Sequence, residues 1–528
     1  MRFLTMAMAC AAALSASAVN PILPLWEHIP DGEPYIFDDP DAPGQKRVYL
    51  YGSHDMLKTK YCGTDLVVWS APVDSLDKWR YDGIIFESIY DSEGNPLNDN
   101  GEPDILYAPD VTEFALPDGS KRYLLIPNNQ SKPRNSMVAV SERPDGPFKV
   151  SNWDENDPKA TVGLWGFDPA ILIDDDGRVY GYWGFTKSYG AELDPSTMAT
   201  LKPGTEIVEN MVGNEDTDND FRFFEASSIR KIEDKYVFIY SRWSKNGEWG
   251  LHRSNYTLAY AYSDNPLGPF TYGGTIIDAR GRDTDADGKA ICTATPFGNT
   301  HGSIAEINGQ WWVFYHRQTG ADEFARQAMV APIEVKVTPG PGGKVEISEA
   351  EYTSEGFETY GLDPFKTYPA GIASHYTGPS TVRQKYPVYY YSGSYIKPEY
   401  VDDHNVENPY GLDININPVV NNVSGSVVGY KYFNFDHLQG KKDVELELNV
   451  VPEGVAGKIY VYAQAPWKGN PQAIGEFDLP LGMEANSVWI SAPLHSISEL
   501  KGKHPLYLVF ESPEEGKSIC MLNCLRFK

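Results

Sequence analysis

The sequence predicts an all-β protein in which a five-bladed β-propeller is followed by a β-sandwich of jelly-roll type. The 528 residues include 34 Tyr, 22 Phe and 12 Trp beside 47 Gly and 39 Pro, a composition typical of short strands separated by turns. A sequence motif (called the phrase below) that contains an aromatic-rich strand occurs five times before residue 340. Beyond that point strands alternate without the phrase, and no useful segment has the helical period.

The first 18 residues have the pattern of a secretory signal peptide. One Arg precedes an apolar run, and Ala16-Ser17-Ala18 matches the small-residue cleavage site. No later stretch approaches the 18 apolar residues that a membrane-spanning helix needs. We therefore expect an exported protein, periplasmic or extracellular, without a membrane span.

Charge and cysteine content exclude several classes of protein. Lys and Arg total 45 against 73 Asp and Glu, a formal net charge of −28, which argues against binding to nucleic acid. Hydrophobic residues make up 41%, enough for a folded core, so disorder is excluded. Four cysteines follow the signal peptide, too few and too scattered for a disulfide scaffold or a zinc cluster. We expect core thiols at Cys62, Cys292, Cys520 and Cys524.

The repeated phrase defines the propeller, which we place at residues 20–340. Its first part is an aromatic-rich strand ending near a Gly, Ser or polar residue, and its second part carries a Ser followed by a turn. The copies of the first part start every 56 to 75 residues, a spacing typical of propeller blades. They are RVYLYGS (47–53), RYLLIPN (122–128), RVYGYWG (178–184), KYVFIYS (235–241) and QWWVFYH (310–316).

Two further segments complete the chain. Residues 341–374 are rich in Gly, Pro and acidic side chains and are predicted to be a linker. Residues 375–528 contain alternating strands such as VELELNV (444–450) and HPLYLVF (504–510), which predict a β-sandwich.

Three acidic positions stand just ahead of repeat strands, where a propeller would bring them to its central funnel. They lie in Pro30-Asp31-Gly32-Glu33-Pro34, Phe167-Asp168-Pro169 and Phe223-Phe224-Glu225-Ala226. Carboxylates among apolar neighbours are unusual, because burial opposes their charge. Their recurrence at matching places in different blades predicts a catalytic centre.

Five motifs, in order and spacing, are similar to those of glycoside hydrolase family 43. They are Tyr107-Ala108-Pro109-Asp110-Val111, Phe167-Asp168-Pro169, Phe224-Glu225-Ala226, Asp264-x-Pro266-Leu267-Gly268-Pro269-Phe270 and His301-Gly302-Ser303. The resemblance covers roughly residues 20–340. It implies a five-bladed propeller that acts on arabinose- and xylose-containing glycans.

The resemblance also implies residue roles. Glu225 matches the family's general acid, and Asp168 matches the carboxylate that raises the pKa of that acid and orients it. His301 matches a histidine at the funnel centre, near a water or a calcium ion. No cofactor is required, and a calcium ion there would be structural or electrostatic.

The general base is where this sequence departs from the family pattern, which has Asp directly before Pro in the first blade. Glu33 holds that place, and Asp31 lies two residues earlier, on the same face of an extended segment. Counting from the Pro favours Glu33, whereas residue type and side-chain length favour Asp31. We favour Glu33 and keep Asp31 as the alternative.

Three acids with distinct roles fit an inverting hydrolase. One carboxylic acid protonates the leaving oxygen while a carboxylate about 6.5–9.5 Å away activates water on the other side of the sugar. The acid needs a raised pKa, which a neighbouring carboxylate supplies by like-charge repulsion. We expect removal of terminal α-L-arabinofuranosyl or β-D-xylosyl units from plant-type polysaccharides or oligosaccharides. The alternatives are hydrolysis of another glycan, such as a galactan, and a non-catalytic glycan-binding propeller.

Six further residues are candidates for substrate binding. Trp165 and Phe224 offer rings that stack on sugars or pack within blades, and the others are polar residues near the motifs. The full set is His54, Asp55, Asp110, Trp165, Phe224 and Arg317.

The C-terminal part resembles a family 6 carbohydrate-binding module. The resemblance rests on Val427–Phe433, Gly475–Asp478, Trp489, His504–Phe510 and the closing Leu525-Arg526-Phe527. Near the end, Leu522-Asn523-Cys524 stands in place of the family's Asn-x-Asp-Trp-type phrase. Glycan binding and bracing of the propeller therefore both remain open for this domain.

Overall fold

A computed structural model describes residues 19–57, 59–214, 216, 219–385, 388–398 and 416–528. The predicted signal peptide lies outside these residues. Within them the regular structure is strand, apart from four single turns of 3-10 helix at Glu248–Gly250, Ala370–Ile372, Phe435–Leu438 and Ile497–Glu499. The all-β prediction is thus confirmed. In the described ranges no helix has the length and apolarity to cross a membrane.

Four antiparallel sheets of four strands follow one another along the chain. The first holds β1 (Glu33–Asp38), β2 (Lys46–Tyr51), β3 (Asp65–Pro72) and β4 (Arg80–Glu87), and the second β5 (Asp110–Ala115), β6 (Lys121–Ile126), β7 (Ala139–Ser141) and β8 (Lys149–Val150). The third holds β9 (Ala170–Ile173), β10 (Val179–Gly184), β11 (Ser188–Leu193) and β12 (Val208–Glu209), and the fourth β13 (Phe223–Ile232), β14 (Lys235–Arg242), β15 (Thr257–Ser263) and β16 (Thr271–Asp278).

A fifth sheet contains β19 (Ser303–Ile307), β20 (Gln310–Gln318) and β21 (Arg326–Ile333). The N-terminal segment runs beside β21, because Ile22 N–H donates to Ala328 O and Val330 N–H donates to the Asn20 side chain. The beginning of the chain therefore completes its last propeller-region sheet. Two small hairpins flank this sheet: β17 (Arg282–Thr284) with β18 (Ala290–Cys292), and β22 (Val335–Val337) with β23 (Val345–Ile347).

The repeated aromatic phrase forms the second strand of every one of these sheets, namely β2, β6, β10, β14 and β20. These strands are buried on both faces, which explains why they read as continuous aromatic and β-branched runs rather than as alternating ones. The acidic motifs precede or begin first strands. That position brings them to the region where the first strands meet.

A buried polar group, which we call the axial cluster, ties the first strands together. It consists of Glu33, Tyr35, Asp110 and Arg230. Arg230 donates to Glu33 Oε2 at 2.7 Å and to the carbonyl of Ile304 in β19 at 3.1 Å. Asp110 accepts from Tyr35 Oη at 2.7 Å and from the backbone N–H of Ile171 in β9 at 2.7 Å. Side-chain hydrogen bonds thus connect β1, β5, β9, β13 and β19.

The C-terminal part contains two main sheets. The first has the order β28 (Tyr395–Ile396), β29 (Val419–Val420), β36 (Cys520–Phe527), β31 (Glu445–Pro452), β34 (Val488–Pro493), and β24 (Tyr368–Pro369) also pairs with β36. The second has the order β25 (His375–Thr377), β30 (Val427–Asn434), β35 (Lys503–Glu511), β32 (Gly457–Tyr462), β33 (Gly475–Leu479). A hairpin of β26 (Thr381–Lys385) and β27 (Val388–Tyr391) stands apart from both.

The two parts of the chain share one hydrophobic core. The same cluster of buried side chains contains Ile239 and Tyr315 of the propeller region and Tyr430 and Leu448 of the C-terminal part. The segment predicted as a linker contributes to it through Tyr352 and other buried residues. Residues 341–374 are therefore folded against both neighbours rather than extended between them.

Candidate active site

Asp168, Glu225 and Asp31, the alternative candidate for the base, line one cavity of about 300 Å³ at the ends of the first strands. Asp31 precedes β1, Asp168 precedes β9 and Glu225 lies in β13, so three different sheets supply them. The remaining lining residues are Tyr61, Cys62, Tyr107, Ala108, Phe167, Phe185, Phe224, Asn255, Asn299, His301 and Arg326.

The backbone beneath these acids is unusual. Asp31 (φ 60°) and Asp168 (φ 49°) adopt the left-handed conformation, and so does Ala226 (φ 69°), directly after Glu225. The pairing of β13 with β14 also shifts register on both sides of Glu225. Non-glycine residues occupy such conformations at an energetic cost and are concentrated at functional sites. Here the turns direct each carboxyl group out of its sheet and into the cavity.

Asp31 is held as a carboxylate by its partners. Its Oδ1 accepts from Arg326 Nη1 at 3.0 Å and lies 3.3 Å from His316 Nδ1, and its Oδ2 accepts from Ser53 Oγ at 2.5 Å. Burial acts to raise the pKa of Asp31, but the charge of Arg326, with a smaller contribution from His316, outweighs it. The pKa therefore lies well below its ordinary value, and Asp31 is ionised at neutral pH.

Glu225 has the opposite character. Burial raises its pKa well above the ordinary value, and the charges of Asp168 and then Asp31 raise it further, against the lowering effect of Arg326. Asp168 itself has a pKa raised to about 6, mainly by burial. Asp168 Oδ2 accepts from the backbone N–H of Ala226 at 2.9 Å, which fixes the turn that carries Glu225. The cavity thus places a protonated acid and an ionised carboxylate together.

Glu33 does not line this cavity. It is the carboxylate of the axial cluster, buried and paired with Arg230. Alternation along β1 predicted that Glu33 and Asp31 would share a face, but the left-handed turn at Asp31 breaks the extended geometry on which alternation depends. Asp31 therefore lies in the cavity, where a substrate could reach it, whereas the favoured Glu33 does not.

Of the six predicted substrate-binding residues, Phe224 lines the cavity. Asp110 belongs to the axial cluster, where burial, followed by the charge of Glu33, raises its pKa to about 7. Trp165 is a core residue: it is 1% exposed, stands edge-on to Trp183 with ring centroids 6.0 Å apart, and donates from Nε1 to Met198 O. These two assignments are corrected.

The polar candidates hold other residues in place rather than facing the cavity. His54 lies between Asp65 (2.7 Å) and Glu27 (3.2 Å), and these carboxylates, against the effect of burial, raise its pKa to about 10. Asp55 accepts from Arg326 Nε at 2.8 Å and Nη2 at 2.9 Å, so it orients a residue that does line the cavity. Arg317 is fully buried and donates to the carbonyls of Ala373 and Gly371, which lie in the predicted linker. Their positions near the motifs predicted a place in the site, but in the structure ion pairs and hydrogen bonds with other parts of the chain account for them.

Comparison with known proteins agrees with this geometry. The family model described as glycosyl hydrolases family 43 matches residues 37–337. A xylosidase/arabinosidase of Thermoclostridium stercorarium is 32% identical over 509 residues, covering 93% of this chain and 95% of that protein. The chain belongs to glycosyl hydrolase family 43. It is accordingly a glycosyl hydrolase.

Other relatives and solved structures of this family are similar over smaller shares or at lower identity. A xylosidase/arabinosidase of Bacteroides ovatus is 27% identical and covers 55% of this chain and 86% of that protein. A solved family 43 arabinoxylan arabinofuranohydrolase from Bacillus subtilis, in complex with cellotetraose, is 18% identical with a TM-score of 0.45, covering 97% of this chain and 98% of that one.

In this family 43 hydrolase the most important residue that sequence reasoning missed is Arg326. Its guanidinium contacts both Asp31 and Asp55 and lies 4.9 Å from the centre of the Tyr61 ring. The available signal was a basic residue inside the apolar strand Ala325-Arg326-Gln327-Ala328, since a buried arginine requires carboxylate partners. Its partners lie almost 300 positions away, so no spacing in the sequence connects them.

An aromatic row borders the cavity and was predicted only at Phe224. Successive ring centroids are 5.6 Å apart between Tyr107 and Phe167, 5.6 Å between Phe167 and Phe185, and 5.3 Å between Phe185 and Phe224. Phe185 lines the cavity and is 54% exposed, so its ring is accessible from solvent. Exposed rings at the mouth of a glycosidase cavity are suited to packing against the apolar faces of sugars.

His301 lines the cavity as predicted from the resemblance, with Nδ1 3.7 Å from Asp168 Oδ2 and a buried Nε2 that has no hydrogen-bond partner among the described residues. The next residue must be glycine, because a Cβ at Gly302 would overlap the carbonyl oxygen of Phe314.

Calcium takes six to eight oxygen ligands. The part of the chain described here contains no group of three or more His, Cys, Asp or Glu side chains arranged to hold a metal, and Asp168 already accepts from Asn128 and Ala226. These residues do not fit a protein-held calcium ion, and calcium here stays a prediction.

Proposed function

We propose that this protein is an inverting glycosidase that removes terminal α-L-arabinofuranosyl or β-D-xylosyl units from plant-type glycans. The observation that carries the proposal is the pairing, in one small cavity, of a carboxyl group kept protonated (Glu225) with a carboxylate kept ionised (Asp31). The relatives named xylosidase/arabinosidase support the choice of pentosyl units.

The proposed mechanism assigns one role to each acid. Asp31 accepts a proton from a water as the water oxygen bonds to the anomeric carbon. The glycosidic C–O bond breaks in the same step, and the Glu225 proton passes to the leaving oxygen. Asp168 keeps Glu225 protonated by repulsion and holds the Ala226 amide. Arg326 keeps Asp31 ionised, and His316 Nδ1 helps to orient it by accepting from the Asp31 backbone N–H at 3.3 Å.

The size of the cavity supports exo action. About 300 Å³ is at the lower end of the range for small-molecule sites. Such a volume suits a single pentosyl unit, with the rest of the glycan outside. We infer that the cleaved bond lies at the mouth, near Phe185 and Phe224.

The architecture that supports this site is a five-bladed propeller followed by a sandwich, in our proposal. Support comes from the five consecutive sheets, the pairing of the N-terminal segment with β21, and the axial cluster that links all five first strands. For the C-terminal sandwich we propose bracing as the primary role, because it shares its core with the propeller region.

A substrate panel tests the proposed function. We expect turnover of nitrophenyl α-L-arabinofuranoside or β-D-xyloside, and a proton NMR time course in which the first sugar released has the anomeric configuration opposite to that of the substrate. Turnover of a galactoside alone would replace the pentosyl assignment. Binding without turnover would favour a glycan-binding propeller, and retention of configuration would contradict Asp31 as base.

The pH dependence of kcat/KM tests the role of Asp168. Activity requires ionised Asp31, whose pKa is lowered, and protonated Glu225, whose pKa is raised, so we expect a plateau that extends from acidic to neutral pH. Asp168→Asn removes a charge that raises the Glu225 pKa. Glu225 then loses its proton at lower pH, and the alkaline limb moves to lower pH.

Asp176→Asn is the matched control, because Asp176 is an exposed acid paired with Arg178 on a turn. Its pH profile should coincide with that of the wild type. An alkaline limb that stays in place, or moves to higher pH, in Asp168→Asn would contradict the assigned role.

A further inference from the structure

A second cavity, which we call the interdomain pocket, lies between the propeller region and the C-terminal part. Its volume is about 680 Å³, more than twice that of the catalytic cavity. Arg253 and Phe297 line it from one side, and Thr381 and Tyr391 line it from the hairpin of β26 and β27. Thr381 and Tyr391 are directly paired, so the two strands present one face to it. Clefts between domains are common ligand sites.

The interdomain pocket adjoins the catalytic cavity. Asn255 and Asn299 line the catalytic cavity, and Arg253 and Phe297, each two positions earlier, line the interdomain pocket. Residues two apart span at most about 7 Å of chain. Asn255 and Asn299 also form a backbone bridge with each other. The two cavities therefore lie next to each other along the same pair of chain segments.

A row of side chains in contact, with Trp243 at its centre, joins them. Phe224, in the catalytic cavity, contacts Trp243 with ring centroids 5.1 Å apart. The guanidinium of Arg253, in the interdomain pocket, lies 4.2 Å from the centre of the Trp243 ring. Aromatic rings and planar guanidinium groups offer apolar faces and hydrogen-bond donors together, which is the chemistry that sugar rings require.

The hairpin that forms the outer wall is anchored at the interdomain pocket. Tyr391 Oη donates to Cys292 O at 2.8 Å. On the opposite face of the hairpin, Tyr390 is buried. The hairpin thus forms one wall of the interdomain pocket and is held there by its bond to Cys292.

We propose that the interdomain pocket is a distal subsite that binds the sugar units of a neutral glycan chain beyond the bond to be cleaved. This inference rests on the proposed function. The Arg280 guanidinium that lines the pocket already pairs with Asp278 at 2.6 and 2.8 Å, so it is not available to an acidic occupant. The C-terminal part then contributes to recognition of the chain as well as to bracing.

Filling the pocket tests this inference. Thr381 is exposed, so Thr381→Trp adds an indole to the pocket wall without disturbing a core. The readout is the ratio of kcat/KM for xylotetraose or arabinoxylan to kcat/KM for a nitrophenyl pentoside, which has no chain. We expect this ratio to fall about tenfold, the size of effect that one lost sugar contact produces. Val382→Trp is the control, since alternation directs the same indole to the opposite face of the hairpin and the ratio should not change.

Calorimetry of xylotetraose binding tests the pocket independently of turnover. The comparison is between Glu225→Gln protein with and without the Thr381→Trp substitution. Weaker binding with Thr381→Trp supports the subsite even if no substrate of the panel is hydrolysed, an outcome that would overturn the proposed function alone. An unchanged ratio in the active enzyme together with unchanged binding would overturn the subsite and leave the proposed function standing. An equal fall of the ratio in Val382→Trp would also overturn it.

Discussion

Replacing Glu225 by Gln is expected to lower kcat by about 10³- to 10⁴-fold on xylo-oligosaccharides or arabinoxylan, whose leaving groups need protonation. Gln keeps the length of the side chain and its position in the cavity, but it has no acidic proton. Burial and the charge of Asp168 keep the wild-type carboxyl group protonated, and this is the property that the variant loses. Steady-state kinetics on the natural linkage gives the result.

The leaving group supplies the internal control for this variant. Dinitrophenolate is a leaving group that needs no protonation. Hydrolysis of a dinitrophenyl pentoside should therefore fall far less, by roughly tenfold or below. Binding of xylotetraose should be retained. Equal losses on both substrates would show that Glu225 has another function, and unchanged turnover of the natural linkage would remove it from the acid role.

Replacing Asp31 by Asn is expected to reduce kcat by about 10³-fold or more on both kinds of substrate. Activation of water is required whatever the leaving group, so an activated aryl glycoside does not rescue this variant. Asn retains acceptor capacity toward Ser53 and Arg326 but cannot accept the proton of the attacking water. Comparison of the two leaving groups therefore separates the base from the acid.

The Glu33→Gln variant decides between the two candidate bases when its kcat is compared with that of Asp31→Asn. We expect kcat to stay within a few-fold of the wild-type value, since Glu33 lies outside the catalytic cavity. Its cost is in stability: the buried Arg230 loses its charge partner, which typically destabilises a fold by about 3–5 kcal/mol. A drop in the thermal midpoint with kcat preserved fits the axial cluster. The reverse pattern, Asp31→Asn active and Glu33→Gln inactive in a folded protein, would restore Glu33 as the base.

The strands could be predicted because the residues that specify each strand are adjacent in the sequence. The five aromatic runs are strands because each is short, rich in aromatic and β-branched residues and bounded by turn residues. Burial on both faces then follows from their place as the second strand of a sheet. The motif positions of Asp168 and Glu225 were likewise readable, since each carboxyl group stands next to a buried strand in an apolar context.

The first acidic motif shows where the inference from local sequence stops. The phrase Pro30-Asp31-Gly32-Glu33-Pro34 contains two acids that alternation places on one face. A single positive φ at Asp31 separates them, sending Asp31 to the cavity and Glu33 into the axial cluster. Side-chain direction depends on a backbone angle that the sequence pattern does not encode.

By itself, the sequence determined the all-β class, the repeated sheets and the carboxyl groups available for chemistry. Only the tertiary structure decided which carboxyl group is ionised, because that depends on partners from other sheets. Arg326 reaches Asp31 from 295 positions along the chain, and Arg230 reaches Glu33 from 197. A charge acts through space over a few ångströms, so the pKa of each acid is set by side chains from other sheets and not by its neighbours in sequence.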